Sequence, residues 1–265
     1  MKHTLTAAEH NIEETYWWFV GRRAILDSIL RQIGILGPVA LDVGCGSGRN
    51  MLLLAPYAGQ VVGLDRSEAA LNFAAERGLP VFSGDGHKLP LADSSVDAIS
   101  VFDVLEHLDD DVRALAEFNR VLRPDGLLLI TVPAYRFLWS EHDEALMHRR
   151  RYVASELHMK LNRAGFDVRV RSYAVFFAFF PIVFYRLFRG LFPKDPMAPK
   201  ASHVMLPRPL NAFFAWTLRI EASLIRIVRL PWGSSIVAVA QKRDVPVRSQ
   251  AAEEYFPDAL AVPQV

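Results

Sequence analysis

Short apolar runs alternate with amphipathic stretches along most of this 265-residue chain. Val39–Val43, Val61–Leu64, Val96–Phe102 and Leu127–Val132 are apolar-rich runs of strand length. Strands covered on both faces read this way, without strict polar alternation. Asn50–Ala55 and Ser67–Arg77 have helical spacing, as does the stretch that puts Val112, Leu115, Phe118 and Leu122 on one face. Arg123-Pro124-Asp125-Gly126 carries Pro, Asp and Gly in turn positions. A helix over Ser155–Ala164 stops at Gly165, and strands are expected near Asp167–Val175 and Ser235–Ala240. Strand and helix in alternation predict an α/β protein with a doubly wound, mostly parallel sheet. The chain shows no internal repeat.

The first strand ends in chemistry. Asp42 closes it, and Gly44, Gly46 and Gly48 follow. Glycine accepts positive φ and puts no side chain between backbone and ligand. The helix after the loop turns its free N–H groups toward that ligand. A dinucleotide loop needs a third glycine three residues after the second. That position is Arg49, and the glycine arrives one residue early. Asp65 ends the second strand, 19 residues after Gly46. A carboxylate there can accept both ribose hydroxyls, or it can cap the next helix. Pro80–Ser83 runs into Gly84-Asp85-Gly86, where Asp85 also suits a turn.

The segments LDVGCGSG, GLD, GDGHKLPLADSSVDAI and LRPDGLLLI occur in this order. Over roughly residues 37–175 they resemble class I S-adenosylmethionine (SAM)-dependent methyltransferases. The nearest group is methyltransferase type 11-like, similar to the ubiquinone/menaquinone-biosynthesis methyltransferases. The resemblance implies a Rossmann-like seven-stranded sheet of order 3-2-1-4-5-7-6, its last strand antiparallel. It also implies methyl transfer, with SAM as cofactor and S-adenosylhomocysteine as product. It assigns cofactor contacts to Asp42, Gly44, Cys45, Gly46, Asp65, Arg66, Asp85, Gly86 and Phe102, Asp85 accepting from the adenine amino group. It leaves the acceptor open.

Composition adds an asymmetry. The formal charge is +1, yet residues 173–233 hold eight Lys/Arg against Asp195 and Glu221. The same segment holds nine of the 17 Phe. It falls between strands six and seven, where the fold implied by the resemblance has a short connection. A parallel strand ends at the ligand-binding edge of its sheet, so the insertion is expected to cover the substrate site. The run Tyr173–Arg186 is too short to span a bilayer. A helix over Asn211–Arg229, with Asn211 as its cap, puts Arg219, Arg226 and Arg229 on one face. Phe213, Trp216, Ile220, Leu224, Ile227 and Val228 lie on the other. Such a helix suits an anionic membrane surface; intramolecular packing and dimerisation are the alternatives. Glu221 on its apolar side is left to a core Arg or a substrate group. The expected division is a helical lid (1–36), a SAM-binding core (37–175), an apolar and basic insertion (176–232), a last core strand (233–243) and a tail (244–265). Cys45 is the lone cysteine and Met1-Lys2-His3-Thr4 carries no secretory signal. Both fit a cytoplasmic protein, peripheral on the inner membrane face if the insertion meets lipid.

Further candidates line the expected substrate side. Tyr16-Trp17-Trp18-Phe19 beside Arg22 and Arg23 reads as a lid, with Trp18 stacking and Arg22 meeting the methionine carboxylate, or as a helix packed by its aromatics. Methyl transfer is an in-line displacement that depends on alignment, and His is the usual base near neutral pH. His142, His148 and His107 are the candidates. Tyr135, Trp139, Arg149, Arg150, Tyr152, Phe176 and Phe180 are the substrate-binding candidates, the arginines for a phosphate or carboxylate. No metal is expected: Thr131-Val132-Pro133-Ala134 lacks an acid pair, and Asp109-Asp110-Asp111 reads as a helix start. The expected reaction methylates an O or C nucleophile of a hydrophobic or lipid-linked acceptor, such as an isoprenoid, a quinone precursor or a polyprenyl-linked sugar. A soluble small-molecule acceptor and non-catalytic SAM binding are the alternatives. Nucleic acid is excluded as a partner by the burial-type aromatics among the basic residues. The chain is expected to be a monomer or homodimer.

Overall fold

The computed structural model describes residues 14–188 and 206–244. The expected tail after residue 244, the first 13 residues of the expected lid, and residues 189–205 of the insertion lie outside them. Seven strands form one sheet: β1 (Gly37–Val43), β2 (Ala58–Asp65), β3 (Val81–Ser83), β4 (Val96–Phe102), β5 (Leu122–Pro133), β6 (Phe166–Ala174) and β7 (Ser235–Lys242). Their order is β3-β2-β1-β4-β5-β7-β6. The first five run parallel, and β7 is antiparallel to both β5 and β6. Order and orientation are those expected from the sequence.

Side chains alternate across the sheet and feed two cores. Ala40, Ala98 and Phe102 face one side with Ile25, Leu30 and Met51. Leu41, Ile99 and Val101 face the other with Leu115, Phe118 and Leu161. Burial on both faces explains the continuous apolar runs. β5 begins earlier than the sequence suggests. The expected turn at 123–126 survives inside it as a break in register between Val96↔Leu122 and Ala98↔Leu127.

Eight helices are described: α1 (Trp17–Ile33), α2 (Arg49–Leu54), α3 (Glu68–Glu76), α4 (Asp111–Val121), α5 (Glu141–Ala145), α6 (Ala154–Arg163), α7 (Phe179–Phe188) and α8 (Arg208–Leu224). Asp110 caps α4, its carboxylate accepting from the Arg113 N–H at 2.9 Å, so the acidic triplet is a helix start. The aromatic N-terminal segment is a helix packed in the core. Gly21 of α1 lets α8 approach so closely that an added Cβ would meet Leu218 Cδ1 at 2.1 Å.

Two expectations about α8 change. It starts three residues before Asn211, so Asn211 is no cap of its own helix. Its amide oxygen instead accepts the Trp17 N–H at 2.9 Å, and its NH2 donates to the Thr15 carbonyl at 2.8 Å. Asn211 thus caps α1 from a distant part of the chain. Glu221 pairs with neither an Arg nor an open site. It is fully buried, and its two oxygens accept the N–H groups of Val175 at 2.6 Å and Phe176 at 2.8 Å. Val175 needs this support, because a β-branched residue at φ 62° is strained.

Burial raises the Glu221 carboxyl to about 7. A carboxyl raised in the folded state favours folding when protonated. Its contribution is complete below about pH 4.5 and is lost as pH rises toward 7. Relative to Glu221→Gln, the unfolding free energy should fall by up to about 3 kcal/mol across that window. Urea unfolding at stepped pH measures it, and parallel pH profiles for the two proteins would refute the assignment.

Candidate active site

The loop after β1 is built to receive a ligand. Gly44, Gly46 and Gly48 have φ of 73°, 54° and 84°, where L side chains are strained. The N–H groups of Gly44 and Cys45 both donate to the Leu64 carbonyl, at 2.7 and 3.1 Å, tying the loop to β2. A Cβ at Gly46 would meet nothing within 4 Å, so the loop is open there. Asp65 accepts the Gly46 N–H at 2.9 Å and the Ser67 N–H at 2.8 Å. Ser67, not Asp65, caps α3 through the Ala70 N–H. Asp65 is therefore aimed at the loop from the neighbouring strand tip.

Asp42 lies fully buried beneath the loop. One oxygen accepts the Ser100 hydroxyl at 2.6 Å, and the other has no partner. Burial raises its carboxyl to about 7. Cys45 is buried and packs on Gly63, and burial pushes its thiol well above the ordinary range. It is a packing residue. Asp85 accepts the His87 N–H at 2.9 Å and stands 2.8 Å from the His87 ring, so it is an ordered turn acid. Gly86 is buried, Phe102 belongs to the core under β4, and Arg66 is exposed.

Arg22 of α1 reaches this edge. Its guanidinium lies 4.8 Å over the Trp18 ring and ion-pairs with Asp103. It also donates to Asn50 at 3.4 Å. Asp103 directly follows β4 at φ 56°. The pair presents a donor and an acceptor together, which suits a ligand carrying both an ammonium and a carboxylate.

The three candidate histidines converge beside it. Asp143, fully buried in α5, holds one of them. It accepts from the Ser140 N–H at 2.8 Å, Arg151 Nε at 2.7 Å and His148 Nδ1 at 2.9 Å. Arg186 of α7 approaches to 3.8 Å. Burial opposes the charge on Asp143, but the His148 and Arg151 bonds outweigh it and hold the carboxyl well below the usual range. The acid next to His142 in sequence thus serves His148. The His148 ring meets that of His107 edge-on at 4.7 Å and that of His142 at 6.4 Å. Burial, then the nearby His148, lowers His107 to about 4. Glu106, not singled out from the sequence, joins the cluster. Its Oε1 lies 3.9 Å from His148 Nε2, it is fully buried, and neither oxygen has a hydrogen-bond partner. Burial, then the Asp103 charge, raises its carboxyl. The available signal was an acid directly before His107 at a strand end.

Three substrate-binding candidates are engaged by the protein's own acids and carbonyls. Tyr152 is fully buried and donates to Asp111 at 2.8 Å. Arg149 pairs outward with Asp109 at 2.7 Å. Arg150 donates to the carbonyls of Leu108 and Asp109 and stands 3.2 Å from Asp111. These groups bind the loop to the start of α4. Tyr135 stacks on Tyr173 at 5.0 Å, Trp139 is half-buried, Phe176 stacks on Trp232 at 5.2 Å and Phe180 is exposed.

Residues 41–130 match the family model described as methyltransferase domain. A protein of Mycolicibacterium smegmatis, named probable S-adenosylmethionine-dependent methyltransferase, is 35% identical over 59% of this chain and 61% of its own length. Demethylmenaquinone methyltransferase of Staphylococcus aureus is 29% identical over 45% of this chain and 56% of its own length. The chain thus spans about three fifths or less of the curated relatives it matches. A SAM-dependent methyltransferase structure from Thermotoga maritima superposes with a TM-score of 0.55 at 19% identity, covering 88% of this chain and 95% of that one. Over residues 41–130 the chain is thus similar to SAM-dependent methyltransferases in sequence, and its sheet has the fold of such enzymes; family and fold imply SAM as the cofactor. The residues fit that group. Gly46 leaves room, Asp42 keeps an unpartnered oxygen beneath the loop, and Arg22 with Asp103 matches a zwitterionic amino-acid end.

Asp143→Ala removes the carboxylate that compensates Arg151, whose side chain is only 4% exposed. The expected loss of unfolding free energy is about 3–5 kcal/mol. Urea denaturation measures it, and a loss under about 1 kcal/mol would contradict the buried pairing.

Proposed function

We propose that the chain transfers the methyl group of SAM to an oxygen or carbon nucleophile of a hydrophobic or lipid-linked acceptor. Isoprenoids, quinone precursors and polyprenyl-linked sugars are the acceptor classes. The glycine loop, Asp42 and Asp65 hold the nucleoside side of the cofactor, and Arg22 with Asp103 its amino-acid end. The cofactor supplies an electrophilic methyl carbon on a sulfonium. The protein aligns the acceptor with it and excludes water. The histidine cluster beside that edge is where an acceptor proton is taken up.

One observation carries the acceptor class. Among the described residues, the inserted helices expose large apolar side chains. Leu218, Glu221 and Ala222 pack α8 on the domain, while Phe213 and Trp216 are 52% and 55% exposed. On α7, Phe180 and Phe184 are 60% and 61% exposed. Arg219 and Arg226 are exposed alongside. An apolar face rimmed by basic residues is suited to lipid. The described α7 and α8 are not long and apolar enough to cross a membrane, so the reading is contact at a surface. The name of the demethylmenaquinone methyltransferase relative supports a lipid-like acceptor.

Two measurements test the reading. Calorimetry should detect SAM and S-adenosylhomocysteine binding that weakens at least about tenfold in Asp65→Ala, the loss of more than one ribose hydrogen bond. Incubation with methyl-labelled SAM and a membrane lipid extract should put label in the organic phase. Label confined to water-soluble products would refute the acceptor class, and absent SAM binding would refute the cofactor.

A further inference from the structure

We propose that Glu106, His107 and His148 form a binding site for a divalent transition-metal ion of the zinc type. One ligand atom from each lies within 4.8 Å of those of the other two. Two imidazoles and a carboxylate are a donor set for such ions and leave at least one coordination position open. Zinc bonds of about 2.0–2.2 Å require the donors to close in around the ion when it binds.

Two independent observations point to a cation. Glu106 is fully buried, both of its oxygens lack hydrogen-bond partners, and Oε1 faces His148 Nε2 at 3.9 Å. A buried carboxylate without donors is costly, and an ion at this position removes the cost. The second is the support behind His148. Its Nδ1 donates to Asp143 at 2.9 Å, and Arg151 holds Asp143 in turn. Metal-ligating histidines are oriented by a carboxylate on the far nitrogen, which leaves Nε2 as the lone-pair donor. Here that nitrogen is the one facing Glu106. The backbone is pinned as well, because the Arg149 N–H donates to the Glu106 carbonyl at 2.9 Å and joins the two ligand-bearing loops.

No metal is expected from the sequence, because Thr131-Val132-Pro133-Ala134 at the end of β5 lacks an acid pair. This cluster is drawn from two loops instead: the 3₁₀ turn Leu105–His107 after β4 and the segment after α5. With an ion in place, His107 and His148 would be ligands, and the ion's charge would lower the pKa of an oxygen donor in the open position, whose proton would pass to bulk water.

The test uses the full chain, stripped with chelator and titrated with Zn2+ and separately with Co2+. Calorimetry should give one ion bound per chain, and bound Co2+ should show visible absorption. Glu106→Gln and His148→Gln should each weaken binding at least about tenfold, as should Asp143→Asn through His148. His158→Gln, outside the cluster, should leave it unchanged. Circular dichroism of the same samples reports folding, and S-adenosylhomocysteine binding separates this inference from the cofactor reading. If Glu106→Gln fails the folding check, His107→Gln replaces it. No saturable binding, or equal binding by wild type and cluster variants, overturns the site whether or not the cofactor binds.

Discussion

Burying a carboxylate costs several kcal/mol unless charge or hydrogen bonds replace its water. Four acids are fully buried at or beside one edge of this sheet: Asp42, Glu106, Asp143 and Glu221. Two are fully answered by the protein. Asp143 has Ser140, His148 and Arg151, and Glu221 has two backbone N–H groups. The other two are not: Asp42 keeps one unpartnered oxygen and Glu106 keeps two. The satisfied pair fixes the loops, and at the unsatisfied pair we propose that ligands complete the structure.

The backbone agrees with this division. Asp103 follows β4, Tyr135 lies just past β5 and Val175 follows β6, all at positive φ. Each sits where a strand leaves the sheet toward the site. Such strain persists only where surrounding contacts over-determine it. Asp103 is held by Arg22, Tyr135 by stacking on Tyr173, and Val175 by Glu221. Sheet topology thus gathers groups from α1, three strand ends and the insertion at one edge, which is where open α/β sheets bind ligands.

Much of this was legible in the chain. Strands and most helices followed from apolar runs and turn residues, because both faces of the sheet are covered. The positive-φ glycine loop and the position of Asp65 against it were legible because loop and strand end are local features. The three histidines were identified as a group, but their wiring was not. Asp143 stands next to His142 in sequence, yet the short helix α5 turns it toward His148. Tyr152, Arg149 and Arg150 looked like site residues because Asp109 and Asp111, their partners, lie about forty positions away. Asn211 and Glu221 had the same fate: each serves backbone in a different part of the chain. Side-chain type is written locally, whereas partnership across long separations is set by packing.

The most direct test of the account is a structure determined with S-adenosylhomocysteine. The account predicts its ribose against Asp65, its chain over Gly44–Gly46 and its amino-acid end between Arg22 and Asp103. Density for the ligand elsewhere, with this edge closed by its own side chains, would contradict it.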